Sequence, residues 1–170
     1  MKKRKEQVQN GNNDLWQYFF MSAGIPSDYH SIKYSKELKK LQLNYQEHVK
    51  DFLNKRNHGI FFITDDNSIP YVVFRRMMTI NIWFYQSRIL NAYKIQEDGK
   101  KYNWEKLFGV FRVDTKATYG RTRLMTEIMN AYENDAFVMI TTAQTDSAKL
   151  SEYFEPIWDV FEKSFLVVRC

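Results

Sequence analysis

The chain predicts a single three-layer α/β domain built on a five-stranded, mostly parallel sheet. Three observations carry that expectation: short apolar runs of strand length, segments of helical period between them, and no two-residue hairpin signal joining any pair of runs. With 170 residues, 44% hydrophobic and 16% aromatic, the chain is long enough for one sizeable core and short for two. Residues 1–14, polar and opening Lys2-Lys3-Arg4-Lys5, read as a basic disordered tail, and residues 15–170 as the domain.

From Ser31 to Asn57 the apolar residues Leu38, Leu41, Tyr45, Val49, Phe52 and Leu53 recur at intervals of mostly three and four, the spacing of an amphipathic helix. Asn57-His58-Gly59 supplies a helix stop, and Gly59–Ile63 is an apolar run short enough for a buried strand. Pro70 suits the first turn of the next helix, whose apolar face is Val72, Val73, Met77 and Met78. Ile80–Tyr85, β-branched and aromatic, predicts a second strand, Ser87–Lys94 a helix, and Glu97–Lys101 a polar turn. Phe108–Asp114 reads as the third strand and Thr122–Asn134 as a helix. Phe137–Thr142 is the fourth strand, Ser147–Phe154 and Ile157–Lys163 are short helices, and Phe165–Val168 is the fifth strand.

Composition narrows the classes. A net charge of +5 suits an acidic partner such as nucleic acid, although lysines scattered over solvated helix faces account for most of such an excess. The one cysteine, Cys170, excludes a disulfide or a multi-cysteine metal site within one chain and points to a reducing compartment. No apolar stretch reaches the ~18 residues of a membrane span, and no signal-peptide run follows the basic start, so the expectation is a cytoplasmic protein with no membrane partner.

Several segments occur in a telling order. Gly24-Ile25-Pro26-Ser27-Asp28-Tyr29 precedes the first helix, and Gly59–Ile63 is followed by a turn. Tyr132-Glu133-Asn134-Asp135 leads into Ile140-Thr141-Thr142, and Leu150–Phe154 and Phe165–Arg169 close the chain. Over about Gly24 to Arg169 this pattern resembles the bacterial and phage helicase loaders of the DnaC type and the related IstB-type transposition helpers, both AAA+ ATPases. The resemblance implies an AAA+-like core, here without the helical lid, in a phage or mobile-element protein acting in DNA replication or transposition.

Carried over position by position, the catalytic parts of that family are missing. The phosphate-loop glycines fall on Thr64 and Ile69, the lysine on Pro70 and the Mg²⁺-holding hydroxyl on Tyr71. Of the two acidic residues ending the third strand, Asp114 is present and the other is Thr115. The sensor asparagine falls on Ala143 and the finger arginine near Val160. Phosphoryl transfer is catalysed by positioning and charge neutralisation, so a turn offering Asp65 and Asp66 in place of glycine and lysine predicts no turnover and no nucleotide cofactor. The resemblance thus implies a pseudo-ATPase that binds DNA, a replicative helicase or an active AAA+ loader. The alternative is an interaction module that inhibits or caps a host AAA+ complex without touching DNA. Homo- and hetero-oligomers both stay open.

In the family, the region after the third strand lines the DNA path. That implies single-strand contact by Lys116, Tyr119, Arg121 and Arg123, with Arg75 and Arg76 a second basic pair. Solvated first-turn arginines are the competing explanation. Trp16, Tyr18, Phe19 and Phe20 could anchor a partner groove or pack onto the domain itself. Asp65, Asp66 and Asp114 could meet at the carboxyl edge of a parallel sheet and hold Mg²⁺, with turn-forming aspartates as the plainer reading. His30, His48 and His58 are too dispersed for a metal triad, and no catalytic or metal-binding set is assigned.

Overall fold

A computed structural model describes residues 15–31, 59–81, 87–97 and 106–169. The helix expected over 31–57 and the tail over 1–14 lie outside these residues, Ser31 apart. Residues 15–22 form helix α1, followed by a 3-10 turn at Ser27–Tyr29. Then come β1 (Gly59–Ile63), α2 (Ser68–Asn81), β2 (Ser87–Asn91), α3 (Ala92–Glu97) and β3 (Leu107–Val113). The chain continues through α4 (Arg121–Glu133), β4 (Phe137–Thr142), α5 (Ser147–Tyr153), a 3-10 turn at Glu155–Ile157, α6 (Trp158–Ser164) and β5 (Phe165–Arg169).

The five strands pair in parallel in the order β2-β3-β4-β1-β5. The step from β1 to β2 crosses the sheet in one direction, and every later step runs in the other. Because crossovers are right-handed, the two directions put their helices on opposite faces. The packing agrees. Ile60 and Phe62 of β1 meet Phe74, Met77 and Met78 of α2, together with Phe19 and Phe20 of α1. Phe61 and Ile63 point the other way, into a cluster with Ile95, Leu124, Ile128, Leu150 and Phe161 from α3 to α6. All five β1 residues are buried, as a strand covered on both faces must be.

Gly59 is required by this packing. A Cβ there would lie 2.2 Å from the Val138 carbonyl oxygen and 2.4 Å from the Phe165 ring, with neighbouring strands on both sides. Gly24 is the other such position. Its φ of +90° turns the chain after α1 so that the Ala23 carbonyl accepts from the Ile89 N–H (2.7 Å), which fastens α1 along the outer edge of β2.

Two expectations fail together. Ile80 and Asn81 belong to α2, not to a strand, and the second strand is Ser87–Asn91, where a helix was expected; residues 82–86 lie outside the described set. The buried face set by Val72, Val73, Met77 and Met78 carries the helix onward past the point where β-branched residues suggest a strand. Strand β2 is an edge strand. Its inward residues are Ser87 and Ile89 with exposed Arg88 between them, an alternation too short and too polar to stand out. Helix α1 went unpredicted although Trp16, Phe19, Phe20 and Ala23 stand at i, i+3, i+4 and i+7, the spacing of the face it buries. Among the described residues no helix is long and apolar enough to cross a membrane.

Gly59→Ala is expected to destabilise the domain by about 1–3 kcal/mol or more, the cost of overpacking a filled core. Ala at exposed Glu133 should change stability by less than about 0.5 kcal/mol. Urea denaturation of the two variants checks both.

Candidate functional site

Since α2 leaves β1 toward one face while α5 leaves β4 toward the other, the loops diverge and open a crevice beyond the carboxyl ends of these strands. Open parallel sheets place ligands at such a point. Here it is a cleft of about 570 Å³ whose walls include Thr64, Asp65, Arg112, Asp114, Lys116 and Gln144. Four positions singled out in the sequence, Thr64, Asp114, Thr115 and Ala143, line it. Ile69, Pro70 and Tyr71 do not: they lie in the first turn of α2, with Pro70 and Tyr71 buried.

The turn after β1 is closed by its own hydrogen bonds. The Thr64 hydroxyl accepts from the Asp66 N–H (3.1 Å) and donates to the Asp66 carbonyl (3.0 Å). Asp66 takes the start of α2: Oδ1 accepts from the Ser68 N–H and Oδ2 from the Ser68 hydroxyl, both at 2.8 Å. Those bonds hold the Asp66 carboxyl below its ordinary pKa of 3.8. A helix start attracts anions through its free N–H groups. Here the Ser68 N–H is occupied by the chain's own carboxylate and Pro70 has no N–H.

Opposite this turn, β3 carries a bulge. Val110 pairs with Ile140 and Val113 with Thr142, so three steps on β3 face two on β4. The extra residue is Arg112, at φ 61°, a left-handed conformation that non-glycine residues adopt only where their surroundings hold it. The Arg112 N–H donates to the Thr141 hydroxyl (2.8 Å), which donates in turn to Asn67 Oδ1 (2.7 Å), tying the bulge to the turn after β1. The Thr142 hydroxyl donates to the Val113 carbonyl (2.9 Å) and accepts from the Gln144 N–H (3.2 Å). Asp114 accepts from the Lys116 N–H (2.9 Å), which makes it a turn-forming aspartate. With Asp66 turned to α2, the three carboxylates do not converge. Among the described residues no group of three acidic, histidine or cysteine side chains could hold a cation.

The basic residues divide sharply. Arg75 is buried and donates to the carbonyls of Tyr29 (2.5 Å) and His30, while lying 6.0 Å from the Phe20 ring centroid. It clamps the N-terminal segment onto α2, which corrects its expected place on a nucleic-acid surface. Arg76 is half-buried, its Nε enclosed without a hydrogen-bond partner. Arg121 donates to the carbonyls of Tyr153 (2.6 Å) and Glu152 (2.7 Å) and stacks over the Tyr153 ring. These bonds satisfy the carbonyl end of α5 and commit Arg121 to the fold. Arg123 is half-buried and its charge acts on Glu127, whose carboxyl is pushed up by burial and drawn partly back by that arginine. Lys116 and Tyr119 are exposed, Tyr119 to 77%.

The aromatic segment divides likewise. Phe19 and Phe20 are core residues at 7% exposure, and Trp16 packs partly against them, so the anchor reading fails for the two phenylalanines. Tyr18 stays exposed, and Leu15 and Met21 share its face at three-residue spacing. Leu15, Met21 and Arg112 are the contributors that sequence reading missed. The apolar run Leu107–Val113 gives no sign of the bulge that turns Arg112 outward.

The fold and cleft define an open parallel α/β domain with its crevice at the usual ligand-binding edge. No protein-family model matches the chain, and no curated protein matches it.

Asp66→Ala is expected to lower stability by about 0.5–2 kcal/mol, the cost of losing the side chain that satisfies a helix start. Because the folded pKa of Asp66 lies below its unfolded value, the difference from the parent should be full above pH ~4 and vanish as pH falls through the folded pKa. Denaturation midpoints measured from pH 2 to 7 check both.

Proposed function

We propose that the chain is a catalytically inactive relative of the DnaC/IstB-type helicase loaders, acting in DNA replication or transposition by binding a replicative helicase, an active AAA+ partner or DNA. The observation that carries this reading is the closed turn after β1. It occupies the place where such a domain would receive a triphosphate, and the carboxylate of Asp66 already satisfies the helix start. A crevice whose first loop is closed on its own carboxylate suits a rigid scaffold rather than a motor. The exposed stripe Leu15, Tyr18 and Met21 offers an apolar contact face, and Lys116 and Tyr119, with Arg112 and Lys149 nearby, offer charge and stacking for single-stranded DNA.

One observation favours the second reading, an interaction module that caps a host AAA+ complex without DNA. Two of the six residues expected on the nucleic-acid surface, Arg75 and Arg121, are committed to internal carbonyls.

Two measurements test these readings. In thermal unfolding, ATP with Mg²⁺ at millimolar concentration should leave the midpoint unchanged; a rise above about 2 °C would overturn the inactive site, since a ligand bound only by the native state raises stability. Single-stranded DNA binding followed by anisotropy should weaken with salt, and Lys116→Ala should reduce the log–log slope by about 0.7. Binding no stronger than background selects the interaction module instead.

A further inference from the structure

The two borders of the sheet are finished differently. At β2 the Ala23 carbonyl already takes the Ile89 N–H. At β5, among the described residues, nothing bonds to the outer side.

The residues that form this outer side follow from the pleat. Ile89, Thr64 and Phe137 share the α1–α2 side of the pleat, and their N–H groups go to Ala23, Thr142 of β4 and Lys106 before β3 respectively. In each case the direction is toward the β2 border. Since all strands are parallel and N–H direction alternates with side-chain face, Leu166 and Val168, which pack on that same face, bond toward β1. Phe165, Val167 and Arg169 therefore face outward. The Phe165 N–H turns back to the Phe161 carbonyl at the end of α6. What remains is a set of two donors, the N–H groups of Val167 and Arg169, and three acceptors, the carbonyls of Phe165, Val167 and Arg169.

We propose that this border pairs with β5 of a second copy of the chain, antiparallel, about a two-fold axis at Val167. The free groups are complementary to themselves under that operation. Val167 exchanges both bonds with Val167 of the copy, and each Arg169 N–H meets the Phe165 carbonyl opposite; the Phe165 N–H is held by Phe161, so the return bond to the Arg169 carbonyl is not made and that carbonyl stays with solvent. The register places no like charges opposite each other: Arg169 faces Phe165, Leu166 faces Val168, and Val167, 43% exposed, faces itself. The apolar layer that Leu166 and Val168 border would continue into the copy. Phe165–Arg169 contains no proline and no bulge, and its one charge, Arg169, lies at its end and donates through its guanidinium to Thr145 and Ser147. Two five-residue borders cover less than the ~1,200–2,000 Å² of a stable interface, so the pairing is reversible and concentration-dependent.

Sedimentation equilibrium of the purified chain between about 1 µM and 1 mM, a range that spans weak association, should show monomer passing to dimer. Val167→Pro removes an outward donor without touching a β1–β5 bond and should abolish the dimer while keeping the thermal midpoint within a few degrees. In a Cys170→Ser background, Val167→Cys should form a covalent dimer on mild oxidation, because hydrogen-bonded antiparallel partners lie about 5.5 Å apart. A chain monomeric throughout overturns the proposal. So does a dimer that survives Val167→Pro with no Val167→Cys cross-link, which would place the contact elsewhere, or a mass that shifts only when another protein is added.

Discussion

The reversal of winding at β1 is the constraint on which the rest depends. The chain leaves β1 across two strands in one direction and afterwards only moves back. That single change of direction leaves α2, with α1 beside it, to cover one face while the later helices cover the other. It also separates the loops after β1 and β4 and so creates the crevice. Gly59 makes the arrangement possible at atomic scale, since β1 starts against the Val138 carbonyl and under the Phe165 ring. The crevice is a product of topology and exists whether or not anything occupies it.

What fills the crevice walls is local hydrogen bonding. Asn67, Thr141 and the Arg112 bulge form one chain of contacts from the first loop to the third strand, and Asp66 with Ser68 closes the helix start. A charged hydrogen bond contributes roughly 1.5–3 kcal/mol, whereas a solvent-exposed phosphate contact is weakened by salt screening. That comparison explains why Arg75 and Arg121 belong to the fold: each meets two fixed carbonyls in a partly dry setting, whereas a phosphate would reach them only through solvent.

The legible parts of the fold were those where burial leaves one solution. β1 and β4, buried along their whole length, match the sequence expectation residue for residue, and β3, α4, α5, α6 and β5 match within a residue or so at each end. The illegible parts lie around the β2 border. Strand β2, Ser87–Asn91, has only Ile89 and Leu90 as apolar residues and shows no alternation of residue type, and the β-branched run that imitates a strand begins inside α2. At the cleft, the sequence exposes the missing glycines and lysine of the turn, because those are differences of residue type. It hides the fate of Arg75 and the Arg112 bulge, because these depend on which carbonyls lie nearby, Tyr29 and His30 for the one and a strand register shift for the other.

The fastening of α1 to β2 limits how far such molecules could string together. Among the described residues the sheet has one open border, so the pairing proposed above would have a valence of one and growth would stop at a pair. Were the Ala23 carbonyl to release Ile89, through a cut or a strain near Gly24, the same molecule would carry two bare borders and could extend without end, as fibres do. On the proposed pairing, helix α1 would thus be a chain terminator, whose loss would change the material properties of the protein before it changed the fold.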